Sequence, residues 1–355
     1  MVDQSYVDRL VDRDALSNYL EAELGPAEKF TFERHDEGHS NETLFLTWGE
    51  KDLVIRRPPP GKTADTAHDV LREYLVVSAL NDTSVPVPTP IDSCTNQDII
   101  GSDFYIMERQ HGDVLRSCEP DRFQNPDARE QIGYELIDGL AAVHAVDYEA
   151  VGLEEFGRPS GYTERQVDRW TKQLEWAFET TQSYRDVPEL REIGSWLADN
   201  IPPEHETTLV HGDYKLDNVM YSQEQQPTVV AIFDWELSTL GDPLADLGWL
   251  LLFWRDRGDP EPALPELMPT FTTNEGYPSR NDLICHYEAI SGRQFTNERF
   301  YRVLAAYKMA ALGEMFFARH INGDSADSLY PKMESQVPQL ASQTLSYLSK
   351  SNDNL

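Results

Sequence analysis

Lysine is what this chain most conspicuously goes without. Of its 30 basic residues only eight are Lys, against 62 Asp and Glu, and the formal charge is −32. Nucleic acid and anionic membranes are gripped through a Lys/Arg footprint, so the balance excludes both as partners. The acids are scattered along the chain and form no tail. Such dispersal is expected of a protein adapted to a salt-rich cytoplasm, where screening removes self-repulsion and a hydrated acidic surface preserves solubility. Stability unchanged between molar salt and dilute buffer would overturn that expectation. An acidic surface that draws in a cationic substrate reads the same way from sequence.

Cysteine is scarce too. Cys94, Cys118 and Cys285 are odd in number and lack C-x-x-C spacing, which points to reduced thiols and no metal cage. Long apolar runs are missing: the most apolar stretch, Leu244 to Trp254, is short and contains Asp246. The N-terminus has no basic start and no apolar signal core, so a cytoplasmic protein is expected. No repeat or low-complexity tract is found. What the chain does have is 355 residues with 40% hydrophobic content, enough for two lobes or domains that share a cleft.

Periodicity divides the chain in two. An amphipathic helix carrying Leu10, Val11, Leu16, Tyr19 and Leu20 ends at Gly25-Pro26. Alternating segments Lys29 to Arg34 and Thr43 to Trp48 predict a hairpin, and Asp52 to Arg56 a third strand. Asp65 to Leu80 turns helical, with Asp65 or Thr66 as a cap, and Pro86, Pro88 and Pro90 bar any continuation. After a strand at Asp103 to Glu108, Arg109-Gln-His-Gly112 marks a boundary, giving a nucleotide-binding lobe of residues 1–108 and a catalytic lobe of 109–355. The second lobe is mostly helical, with patterns at 126–146, 163–180, 282–291, 297–319 and 336–348. Asp242-Pro243 opens another helix, and 258–269 is a Pro-rich loop.

The chemistry concentrates in His211-Gly-Asp-Tyr-Lys-Leu-Asp-Asn218 and in the apolar run Val229 to Phe233 that ends at Asp234. Phosphoryl transfer needs an acceptor hydroxyl positioned, a metal anchored and charge neutralised. Asp213 can orient the hydroxyl and accept its proton. Asn218 and Asp234 supply the oxygen ligands that Mg2+ prefers. Lys215 can reach the transferred phosphate as a point charge. Arg56, at the end of the third strand, can fork onto nucleotide phosphates, with Glu73 on the next helix as its ion-pair partner. Backbone N–H groups around Gly38, Ser40 and Asn41 can cover phosphates, while His39 has only a loop role. Near Glu108 and Gln110 the backbone can hold the nucleotide base. Asp246 can brace the backbone of the His211 loop. Gly61-Lys-Thr63 imitates the end of a P-loop, but Arg56 stands where the first Gly is required and three prolines remove N–H donors.

Taken in order, these residues resemble the aminoglycoside phosphotransferase and choline kinase superfamily. Val54-Ile-Arg-Arg-Pro-Pro-Pro-Gly61, His68-Asp69 before Arg72-Glu73-Tyr74, and Asp213 to Asn218 are similar to the phosphotransferase domain fused to some acyl-CoA dehydrogenases. The resemblance implies an α+β, bilobal protein-kinase-like fold with a small antiparallel-sheet N-lobe and a larger helical C-lobe. It implies Asp213 as base, Asn218 and Asp234 as metal ligands, Arg56 as phosphate anchor, and ATP or GTP with Mg2+ as cofactors. Trp235-Glu236 follows Asp234 in place of Phe-Gly, and no Ala-Pro-Glu follows, which disfavours a protein substrate. The expected partner is a small-molecule hydroxyl, with a hydroxyacyl-CoA or hydroxy acid ranked above an aminoglycoside or choline. A catalytically inactive nucleotide-binding regulator is the alternative from another class, and Arg in place of the usual strand Lys is its argument. Trp170, Trp176, Tyr287 and Tyr307 are the aromatics expected either to line an acceptor pocket or to pack the core.

Overall fold

The computed structural model describes residues 10–35, 41–60, 69–325 and 327–349. Gly38, His39, Ser40 and the Gly61 to Thr63 decoy therefore lie outside the described residues, as do Asp65 and Thr66.

Strand β1 (Phe30–His35) pairs antiparallel with β2 (Glu42–Trp48), and β2 with β3 (Lys51–Arg57). Two-residue alternation in β2 buries Leu44, Leu46 and Trp48 on one face. On that face lies the helix α1 (Arg13–Leu24), N-capped by Asp12 and stopped by Gly25, so that Leu16 and Leu20 join Leu44, Leu53, Ile55, Phe104 and Ile106 in one apolar cluster. Register matters on the other face. Thr43 sits opposite Arg56, which sets the Arg56 Nη1 2.9 Å from the Thr43 hydroxyl.

Helix α2 (Val70–Leu80) covers this second face and carries Glu73 onto the sheet. Its N-cap is Asp69, whose carboxylate accepts from the Arg72 N–H at 3.0 Å. The sheet is completed by β4 (Pro90–Cys94) and β5 (Phe104–Glu108), in the order β1-β2-β3-β5-β4. β4 was not expected, because prolines obscure it. Its place at the sheet edge, with Pro90 as first residue, is where a missing N–H does no harm.

Beyond Glu108 the chain becomes helical: α3 (Pro126–His144), α4 (Tyr162–Thr181), α5 (Pro188–Asp199), α6 (Pro243–Phe253), α7 (Arg280–Ser291), α8 (Glu298–Asn322) and α9 (Met333–Ser349). The start of α7 is fixed by a reciprocal Ser279/Asp282 capping box. The close approach of α6 and α8 needs Gly248, since a Cβ there would stand 2.8 Å from the Tyr301 carbonyl oxygen. α5 was not anticipated. Trp176 is 52% exposed, so it serves neither expected role, whereas Tyr287 and Tyr307 are buried in the core.

Short strands fix the His211 loop at both ends. Thr208–Val210 pairs with Thr239–Gly241 ahead of it, and Val219–Tyr221 pairs with Val229–Ile232 behind it. The second pairing delivers Asp234 to Asn218: the Phe233 N–H donates to the Asn218 carbonyl at 2.8 Å. Among the described residues no helix is long and apolar enough to cross a membrane.

Candidate active site

The loop is held from below by one carboxylate. Asp246, in the first turn of α6, accepts the His211 N–H at 2.6 Å and the Gly212 N–H at 2.8 Å. His144 approaches the same carboxylate at 3.4 Å. Burial acts to raise the Asp246 pKa, but His144, His211 and the backbone donors outweigh it and hold the acid below the ordinary carboxylate range. Gly212 has φ 82°, and a Cβ there would meet the Leu237 carbonyl oxygen at 2.5 Å, so only glycine fits. The fully buried His211 has its Nε2 2.8 Å from the Phe233 carbonyl, and its Nδ1 accepts from the Asp213 N–H at 3.2 Å. That pairing selects the neutral Nε2–H tautomer, and burial lowers the imidazole pKa accordingly.

On this frame Asp213 faces two donors. Trp249 Nε1 donates to Oδ1 at 2.7 Å and Asn218 Nδ2 to Oδ2 at 3.0 Å. Burial raises the pKa of Asp213, yet Lys215, Lys308 and His211 prevail and keep it low, so the carboxylate is ionised. Asn218 also donates from Nδ2 to the Asp213 carbonyl at 2.8 Å, leaving its Oδ1 without a protein partner among the described residues. Asp234 stands beside it with left-handed backbone (φ 67°, ψ 58°) and a carboxylate 31% exposed. Among the described residues no three His, Cys, Asp or Glu gather as a metal cage. A free amide oxygen beside one carboxylate still suits Mg2+, which keeps waters and phosphate oxygens in its shell and takes few protein ligands. Lys215 Nζ lies 3.6 Å from Asp213 and 3.3 Å from Asp217.

Across the cleft, Arg56 meets Glu73 at 3.2 Å and Asp234 at 3.5 Å. Burial raises the Glu73 pKa, and Arg56 offsets this only in part. Arg56, Glu73, Glu108, Gln110, Asn218 and Asp234 all line one cavity of about 510 Å³, within the size range of small-ligand pockets. Asn41 is not among its lining residues; its side-chain amide is buried and has no hydrogen-bond partner among the described residues. Asp213 and Lys215 adjoin the cavity through Asn218 and Asp217.

Residues 31–272 match the family described as phosphotransferase enzyme family. The chain belongs to that family. It is 33% identical over 333 residues to acyl-CoA dehydrogenase family member 11 of Rattus norvegicus, covering 89% of this chain and 41% of the rat protein. The chain thus spans less than half the length of that curated relative. Among solved structures, a Ralstonia eutropha protein provisionally named an aminoglycoside phosphotransferase superimposes with a TM-score of 0.80 at 30% identity, covering 95% of this chain and 98% of that one. A thermostable mutant of an aminoglycoside phosphotransferase, captured with ADP and hygromycin B, shares the fold at TM-score 0.60 and 12% identity, over 95% of this chain and all of that one. The expected kinase-like fold, a small antiparallel sheet beside a larger helical part, is thereby established.

This phosphotransferase places two further side chains at the loop that motif reading passed over. Trp249 is one, through its bond to Asp213. Lys308, on α8, is the other: its ammonium donates to the Gly212 carbonyl and stands 3.7 Å above the Trp249 ring. A signal for Lys308 existed. It interrupts the apolar stripe of Leu304, Tyr307 and Ala311 in a chain with only eight lysines.

Proposed function

We propose that this phosphotransferase is a kinase for a small-molecule hydroxyl, using ATP or GTP with Mg2+. Residues 1–108 would hold the nucleotide and residues 109–355 the catalytic loop and acceptor. The observation that carries the reading is the divided amide of Asn218, which steers Asp213 with its nitrogen and leaves its oxygen unbonded on a residue that lines the same cavity as Asp234. Asp213 orients the acceptor hydroxyl and takes its proton as the new oxygen–phosphorus bond forms and the bond from the γ-phosphorus to the departing nucleoside diphosphate breaks. Its low pKa suits a loose transition state, in which the attacking oxygen gives up its proton late. Lys215 sits close enough to Asp213 to offset charge on the transferred group. Arg56, held by Glu73, forks onto the nucleotide phosphates. Asn218 and Asp234 would hold Mg2+, which supplies neutralisation of the phosphate oxygens when bound.

For the acceptor, kinship with a chain named as an acyl-CoA dehydrogenase favours a hydroxyacyl-CoA or hydroxy acid. The test is a nucleotide-turnover screen with ATP and GTP against hydroxyacyl-CoAs, hydroxy acids, amino alcohols, sugars and aminoglycosides. Asp213→Ala is expected to lower transfer by about 10²–10⁴-fold while nucleotide affinity persists. Turnover retained by that variant would remove Asp213 from the mechanism.

A further inference from the structure

The cations beside Trp249 lead beyond that reading. Lys308 bonds the Gly212 carbonyl and stacks on Trp249, with the Trp170 ring 5.6 Å from its ammonium. Arg169, exposed on α4, lies 5.1 Å from the same Trp170 ring. Neither is ion-paired among the described residues. This is unusual in a chain with 62 acids, where Arg56, Arg129, Arg185 and Arg280 each hold a carboxylate within 3.2 Å.

The carboxylates that face Lys308 are Asp213 and Asp246, and both are engaged elsewhere. Asp213 has Trp249, Asn218 and Lys215, and Asp246 has two backbone donors and His144. Burial, with Arg169 and Lys215 adding to it, pulls the Lys308 pKa down to about 8. Asp213 and Asp246 offset the Lys308 charge only from a distance, since neither bonds it directly, so an incoming anion would add the direct partner that both cations lack.

Arg169 and Lys308 line a cavity of about 30 Å³ together with Gln166, Trp170 and Trp249, and with Asp246, whose carboxylate is taken up by the His211 and Gly212 N–H groups. That exceeds the roughly 10–15 Å³ a single water needs and is far below the roughly 300 Å³ of a small-ligand pocket, so the space admits a terminal oxygen-bearing group and not a ring. Trp249 links this space to the catalytic loop: Lys308 stands over its ring face, and its Nε1 bonds the Asp213 carboxylate.

We propose that Lys308 and Arg169 select the acceptor by its charge, binding a carboxylate or acyl oxygen a few bonds from the hydroxyl presented to Asp213. The proposal rests on the kinase reading and narrows it to anionic or acyl-bearing hydroxy compounds. Amino sugars and choline-like amines meet like charge here.

The test uses the full chain and three acceptors of equal carbon length: a hydroxy acid, its coenzyme A thioester and the corresponding amino alcohol. Wild type is expected to favour the acid or the thioester over the amine by at least about tenfold in kcat/KM, a difference within reach of one charge contact. Arg169→Gln should raise KM for the favoured acceptor about tenfold with kcat much less affected; Lys308→Met, which also frees the Gly212 carbonyl, should raise KM similarly and lower kcat as well, and Lys308→Arg should recover part of both losses. Arg169→Glu, at an exposed position, should shift preference toward the amino alcohol, and it carries the test should Lys308→Met fail to fold. Preference for the acid over the thioester assigns the pocket to a carboxylate, and the reverse assigns it to an acyl oxygen. Equal losses with every acceptor, or a wild type indifferent to charge, would overturn the proposal and leave the kinase reading standing. A wild type that binds nucleotide yet transfers phosphate to none of the three overturns both.

Discussion

Glu73 in the sheet lobe and Asp246 in the helical lobe are equally buried, each 2% exposed, and their acidities move in opposite directions. Asp246 is met by the His144 imidazole at 3.4 Å and by two backbone N–H groups at 2.6 and 2.8 Å, with His211 beside it. Glu73 is met by Arg56 nitrogens at 3.2 to 3.4 Å and by Tyr105, and it feels the Asp234 charge across the cleft. Several donors on separate elements compensate the buried Asp246 charge; a guanidinium shared with Thr43 and Asp234 compensates Glu73 less well. Asp246 is thus a strut for the catalytic loop. Glu73 is one side of a contact that holds Arg56 on the wall of the larger cavity.

Three substitutions or conditions would separate the two roles. The largest effect is expected for Asp246→Ala, which leaves two buried N–H groups without acceptors at about 1–3 kcal/mol each. Denaturant unfolding should show a loss of about 3–5 kcal/mol, together with collapse of transfer activity. Glu73→Gln should raise KM for the nucleotide about tenfold while the unfolding midpoint hardly moves, because an imperfectly compensated charge is removed at the same time. A midpoint that drops as far as it does for Asp246→Ala would show Glu73 to be a second strut. The smallest effect concerns His211. Between its lowered folded pKa and the ordinary imidazole value near 6.5, the unfolded chain binds a proton that the folded chain refuses. Its contribution to stability is therefore whole above about 6.5 and is lost as pH falls through the folded value. Unfolding measured from pH 7.5 down to 5 should slope downward in the wild type and less so in His211→Gln.

The parts legible in the sequence are those whose partners are close along the chain or follow in a fixed order. Asp213, Lys215 and Asn218 share an eight-residue loop, and strand Arg56 followed by helix Glu73 is a pairing that order alone suggests. Bracing by Asp246 was readable from its place one turn into a well-capped helix. Lys308 and Trp249 were not, since they reach the loop across 96 and 36 residues and lie in helical stripes that read as core. Apolar periodicity likewise missed β4, where proline hides an edge strand, and it gave Trp176 a burial that the packing denies. Tertiary contact, not local propensity, decided each of these.

Asp234 bears on how its own role can be tested. Left-handed backbone costs a β-carbon-bearing residue on the order of 1–2 kcal/mol, and Asn and Gly tolerate it best. The commonest probe, alanine, would therefore alter the turn and the charge together and could not tell a lost ligand from a displaced strand end. Asparagine keeps the turn and removes the charge; glycine keeps the turn and removes the side chain. Measured side by side, that pair isolates electrostatics from backbone geometry at a single residue.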